Sequence, residues 1–119
     1  MKKVIIVEDD NAMGNVLAAR IRNEGFETIH VLNGEKALSQ LKQSPFDLMI
    51  LDLIMPKLDG VALLEKMSQD GFKIPVIIVS NLSQDTDRSR VAKYNVIQFF
   101  SKSDITVAEI VGFVKNFLA

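Results

Sequence analysis

Three carboxylates, a hydroxyl and an ammonium stand at comparable places in this chain. Glu8 and Asp9 follow Val4-Ile5-Ile6-Val7 directly, and Asp52 follows Leu48-Met49-Ile50-Leu51. Ser80 closes the run Ile74 to Val79, and Lys102 stands two residues beyond Phe100. Short apolar runs of this kind read as strands covered on both faces, so these polar residues fall at or just beyond the carboxyl ends of four of the five strands. Open α/β sheets place their chemistry on that rim. Gathered there, the carboxylates of Glu8, Asp9 and Asp52 repel one another, and without compensation one of them takes up a proton. A divalent cation removes the conflict, and oxygen ligands without Cys or His select Mg²⁺ or Mn²⁺. Lys102 adds a second positive charge and Ser80 a neutral donor. Such a set suits a phosphoryl group, whose oxygens the cation and ammonium neutralise while a carboxylate serves as nucleophile and forms an acyl phosphate.

Five strand-then-helix repeats must position these residues. Val4 to Val7 is the first strand; Asn11 caps a helix carrying Met13, Val16, Leu17 and Ile21 inward, and Gly25 stops it. Thr28 to Leu32 is a second strand, followed after Asn33-Gly34 by a helix with Ala37, Leu38 and Leu41 inward that ends at Ser44-Pro45. The third strand delivers Asp52 into a loop shaped by Met55-Pro56 and Asp59-Gly60; Val61, Leu63, Leu64 and Met67 then form a helical stripe closing at Asp70-Gly71. Ile74 to Val79 is the fourth strand, with Pro75 tolerable only near its start. Asn81 to Asn95 is polar, with Leu82, Val91 and Ala92 as its few apolar anchors, and is read as a fourth helix. Val96 to Phe100 is the fifth strand. Ser101-Lys102-Ser103-Asp104 offers a capping pattern for a last helix with Val107, Ile110, Val111, Val114 and Leu118 on one stripe and Phe113 and Phe117 partly off it. The pattern predicts an α/β doubly wound, five-stranded parallel sheet with right-handed crossovers.

Composition bounds what such a domain does. With 119 residues, 48% hydrophobic and 24% charged, the chain is read as a single domain over 1–119 with a real core. A formal net charge of −1 with scattered Lys and Arg gives no basic stripe, so no direct nucleic-acid binding is expected. The absence of cysteine excludes disulfides and a Cys nucleophile. The apolar run after Met1-Lys2-Lys3 is too short for a signal peptide, and no run approaches a membrane span, so a cytoplasmic location is expected.

Glu8-Asp9-Asp10, Asp52 with Met55-Pro56 and Asp59-Gly60, Ser80 and Lys102 resemble, in order and spacing, the receiver domain of two-component response regulators. The resemblance implies the flavodoxin-like (βα)5 fold with strand order 2-1-3-4-5. It implies that Asp52 accepts a phosphoryl group from a phosphohistidine of a sensor histidine kinase or phosphotransfer protein. Asp9, with Glu8, Asp52 and the main-chain carbonyl of Ile54, would hold Mg²⁺. Lys102 would pair with the phosphoryl oxygens and Ser80 would hydrogen-bond them. Phe99, three residues before the lysine, stands at the family's aromatic switch position. The output would be a two-state conformational change read by a downstream protein target or an effector domain outside this chain, as a monomer or a phosphorylation-dependent dimer through Phe113 and Phe117.

The departures from the family pattern carry their own expectations. Glu8 replaces the usual Asp and lengthens that arm. Ser103 follows Lys102 where the family keeps a cis-proline; a cis bond before a residue other than proline costs about 2.5–4 kcal/mol, so a trans peptide is expected. Asn81 is bulkier than the usual small residue, and Phe99 has no hydroxyl. Ile54 and Leu82 cannot orient an attacking water, so slow self-dephosphorylation is expected, and the chain is not read as an enzyme beyond this chemistry on itself. Singly, each residue has a plainer reading: Asp52 as a turn acid, Ser80 as a strand-end cap, Lys102 as a surface charge, Phe99 as core. His30 is read as structural or surface, the 85–90 charges as a solvated face, and Met49, Met55 and Met67 as packing. Two other functions compete: a receiver-shaped interaction module that is never phosphorylated, and an Mg²⁺-dependent aspartyl phosphatase. The phosphatase lacks its usual second acid, because Ile54 occupies that place.

Overall fold

The computed structural model describes residues 1–55, 58–81 and 89–119. Its elements are β1 (Lys3–Val7), α1 (Asn11–Asn23), β2 (Glu27–Val31), α2 (Gly34–Gln43), β3 (Leu48–Leu51), α3 (Gly60–Gln69), β4 (Val76–Ser80), β5 (Val96–Ser101) and α4 (Val107–Leu118). The strands form one parallel sheet in the order β2-β1-β3-β4-β5. Residues 89–91 are helical. Asn81 is a bend, and residues 92–95 turn and bend into β5, short of the expected helical end at Asn95; residues 82–88 of that expected helix, with Leu82 and the charges at 85–88, lie outside the described residues, as do Pro56 and Lys57.

The continuous apolar runs arise because both faces of the sheet are covered, and the period-two pleat splits each run between two cores. Ile5, Val7, Met49, Leu51, Val76 and Ile78 face α2 and α3, packing on Ala37, Leu41, Leu63, Leu64 and Met67. Val4, Ile6, Leu48, Ile50, Ile77 and Val79 face α1 and α4, packing on Leu17, Ala18, Ile21, Ile110, Val111, Val114 and Leu118. Among the described residues, no helix is long and apolar enough to cross a membrane.

Several local expectations shift. Asp10, not Asn11, caps α1: its Oδ1 accepts the Met13 N–H at 3.2 Å, and Asn11 is already helical. Val16 is 51% exposed, because the inward row of α1 is Gly14, Leu17, Ala18 and Ile21. Residues 101–104 do not cap α4. Thr106 does, in a reciprocal box with Glu109, the Glu109 N–H donating to Thr106 Oγ1 at 3.1 Å and the Thr106 N–H to Glu109 Oε1 at 3.3 Å. Phe113 is half-buried, edge-on to Phe100 with centroids 5.5 Å apart, which leaves Phe117 alone as the exposed ring of α4. Gly25 and Gly71 stop α1 and α3 with φ of 94° and 81°, the left-handed region that helix ends assign to glycine. The Lys102–Ser103 peptide is trans.

Candidate functional site

Asp52 is the first residue beyond β3, and its N–H donates to the Val7 carbonyl at 3.0 Å, continuing the β1 register into the loop. The side chain is buried at 6% exposure. Its Oδ1 accepts from the Ile54 N–H and from Ser80 Oγ, both at 3.0 Å, and its Oδ2 accepts from Lys102 Nζ at 3.1 Å. A buried carboxylate is tolerable only when hydrogen-bonded and paired, and donors from the loop after β3, the end of β4 and the turn after β5 meet that condition. The loop beyond it is held by close approach: the Gly60 N–H donates to the Leu53 carbonyl at 3.1 Å, and a Cβ on Gly60 would meet Leu53 Cα at 2.6 Å.

Ser80 ends β4, fully buried, with its carbonyl accepting the Lys102 N–H at 2.9 Å. That bond carries the β4–β5 pairing past Ser80↔Ser101 and aims Lys102 inward. Lys102 Nζ also donates to Glu8 Oε1. The longer arm of Glu8 therefore reaches the lysine directly.

Glu8 is 5% exposed and Asp9 is exposed. Ligand oxygens of Glu8, Asp9 and Asp52 lie within 4.8 Å of one another. Burial first, and then the neighbouring Asp52 carboxyl, push the Glu8 pKa up to about 7 against the pull of Lys102. For Lys102 burial acts downward, but the hydrogen bonds and charges of Glu8 and Asp52 outweigh it and raise its pKa. Glu8 Oε2 is buried with no hydrogen-bond partner among the described residues. An orphaned buried carboxylate oxygen beside two further acids fits a hard divalent cation, which takes oxygen ligands and is indifferent to the missing sulfur and imidazole.

Structure thus brings together Glu8, Asp9, Asp52, Ser80 and Lys102. Ile54 reaches the site through its N–H, while its side chain is 52% exposed. Phe99 stays apart, half-buried in β5 opposite Ile78 and packed on the α2–α3 side. Asn81, next to Ser80, is exposed. His30 has the structural place expected of it, half-buried in β2 with its Nε2 2.7 Å from the Glu8 carbonyl oxygen. Gly14 faces the ring, but a glycine inside a helical stripe does not by itself signal this, since an added Cβ at Gly112 in α4 meets nothing within 4 Å.

The chain matches the family model described as response regulator receiver domain over residues 4–114. It is 32% identical over 101 residues to the response regulator GtcR of Aneurinibacillus migulanus, covering 85% of this chain and 41% of that protein. It is 30% identical over 98 residues to the response regulator receiver protein CpdR of Brucella abortus, covering 78% of this chain and 82% of that one. The solved response regulator TrrA of Thermotoga maritima, in complex with Mg²⁺-BeF, shares the fold with a TM-score of 0.80 at 24% identity over 98% of each chain. The chain spans less than half of GtcR, so what the rest of such a protein does is not carried over. The match over nearly the whole chain, the strand order and the acids gathered at one rim agree, and the chain belongs to the response regulator receiver domain family.

Proposed function

We propose that Asp52 is the phosphoacceptor and that the donor is a phosphohistidine on a sensor histidine kinase or phosphotransfer protein. One observation carries the reading: a buried aspartate with Ser80 and Lys102 on its two oxygens and two further carboxylates within reach of one cation. In the transfer an Asp52 oxygen forms the bond to phosphorus. The phosphorus–imidazole bond breaks, and its electron pair leaves with the ring nitrogen. Glu8, Asp9, Asp52 and the Ile54 carbonyl would hold Mg²⁺, or Mn²⁺, which supplies positive charge to the phosphoryl oxygens; the Mg²⁺-BeF complex of TrrA supports that choice. Lys102 neutralises a second oxygen and Ser80 turns its hydroxyl from Asp52 to the phosphoryl group, drawing on β4 and β5 and on the packing of Phe99. A downstream protein, or an effector domain outside this chain, reads that change. We place the domain in the cytoplasm with its donor, as a monomer or a phosphorylation-dependent dimer, and assign it no chemistry beyond its own phosphorylation and slow dephosphorylation.

Incubation with acetyl phosphate and Mg²⁺, followed by intact mass, is expected to give a stable single adduct that Asp52→Asn abolishes. The half-exposed, apolar Ile54 cannot orient water, so the adduct is expected to persist far beyond seconds. Multiple turnover without accumulation would instead identify a phosphatase. No adduct would identify an unphosphorylated interaction module.

A further inference from the structure

We propose that His30 is a positioning residue for the acidic cluster: it holds the main chain of Glu8 so that the Glu8 and Asp9 carboxylates converge on Asp52. The inference deepens the phosphoacceptor reading and rests on its Mg²⁺ site. Glu8 is the first residue beyond β1, and its N–H donates to the Val31 carbonyl at 3.1 Å. Its own carbonyl lies 2.7 Å from His30 Nε2. A carbonyl only accepts, so Nε2 carries the proton and donates it. The peptides on both sides of Glu8, including the one joining the two acids, are thereby held from β2, which leaves the side-chain torsions as the remaining freedom of that carboxylate.

The ring reaches this place because α1 makes room. An added Cβ at Gly14 would stand 2.1 Å from His30 Nε2 and 2.2 Å from Cε1. Glycine is a poor helix former, and here its lack of a side chain admits the imidazole between α1 and β2. On the far side, Asn15 Oδ1 is 3.4 Å from Nδ1. Helix and strand are thus both shaped around one hydrogen bond to the backbone of the acid pair. Partners that orient a metal ligand typically matter about 10–100-fold in metal affinity when removed.

The test uses the full chain and Mg²⁺ alone, titrated by calorimetry, with amide NMR shifts of Asp9 and Asp10 and the melting temperature recorded without Mg²⁺. His30→Leu keeps the bulk and removes the donor; Mg²⁺ affinity is expected to fall about tenfold or more, with the Asp9 amide moved before any Mg²⁺ is added. His30→Gln returns an N–H at similar reach and is expected to recover most of that loss. Gly14→Ala keeps the imidazole but crowds it, and is expected to weaken Mg²⁺ in the same direction; this pair decides the matter if His30→Leu does not fold. Unchanged affinity in His30→Leu or in Gly14→Ala, or a His30→Gln as weak as His30→Leu, overturns the role of His30 alone. Failure of the wild type to bind Mg²⁺ overturns the cation site together with it.

Discussion

Glu8 concentrates the electrostatics of the site. It is buried, it shares Lys102 with Asp52, and one of its oxygens has no partner among the described residues. With its pKa raised from 4.5 to about 7, the cation-free folded state holds a proton there that the unfolded chain has already released. That contribution to stability is fully present below about pH 4.5 and is lost as pH rises through about 7. Urea denaturation in a chelator is therefore expected to show stability falling between about pH 4.5 and 7 and levelling above, by on the order of 1–3 kcal/mol. Glu8→Gln is expected to flatten the slope. Because a cation needs the deprotonated carboxylate, Mg²⁺ affinity is expected to rise over the same interval, as calorimetry at several pH values would read.

Four of the five strands bring one or two residues each to the rim, and the caps fix where the helices between them start. The sequence shows a helix after β5, but the turn before it offers several hydroxyls and acids in succession, and a capping pattern alone does not rank them. Thr106 is chosen because Glu109 lies one turn ahead to complete the box. Thr106→Ala is expected to destabilise the domain by about 0.5–2 kcal/mol in equilibrium denaturation, whereas Ser103→Ala is expected to change it little. Asp10, not Asn11, takes the cap because the chain turns into α1 one residue earlier, directly behind Glu8 and Asp9. Gly14 shows the same limit, since its spacing fits the helix and its purpose lies on β2.

The whole molecule is a sheet with two cores, and the site depends on both. Ile77 and Ile78 are adjacent, fully buried, and point to opposite faces. Ile77→Ala and Ile78→Ala are each expected to cost about 2–5 kcal/mol, measured by urea denaturation. A half-covered sheet would give one large and one small value. Both residues lie in the strand that carries Ser80, so a loosened β4 is also expected to slow labelling by acetyl phosphate.

The sequence by itself determined the strands, the strand–helix alternation and the polar residue that ends each buried run, because burial on both faces leaves an uninterrupted apolar signature and a sharp stop. It also determined that acids, hydroxyl and lysine share a rim, since parallel strands point the same way. Strand order came with the family resemblance and is visible directly only in the sheet, because spacing along the chain says nothing of which strands lie side by side. Only the tertiary structure decided that Glu8 reaches Lys102, that its second oxygen has no partner among the described residues, and that His30 lies on the Glu8 carbonyl. Those contacts join residues 94 and 22 positions apart, and their distances follow from how helices and strands pack.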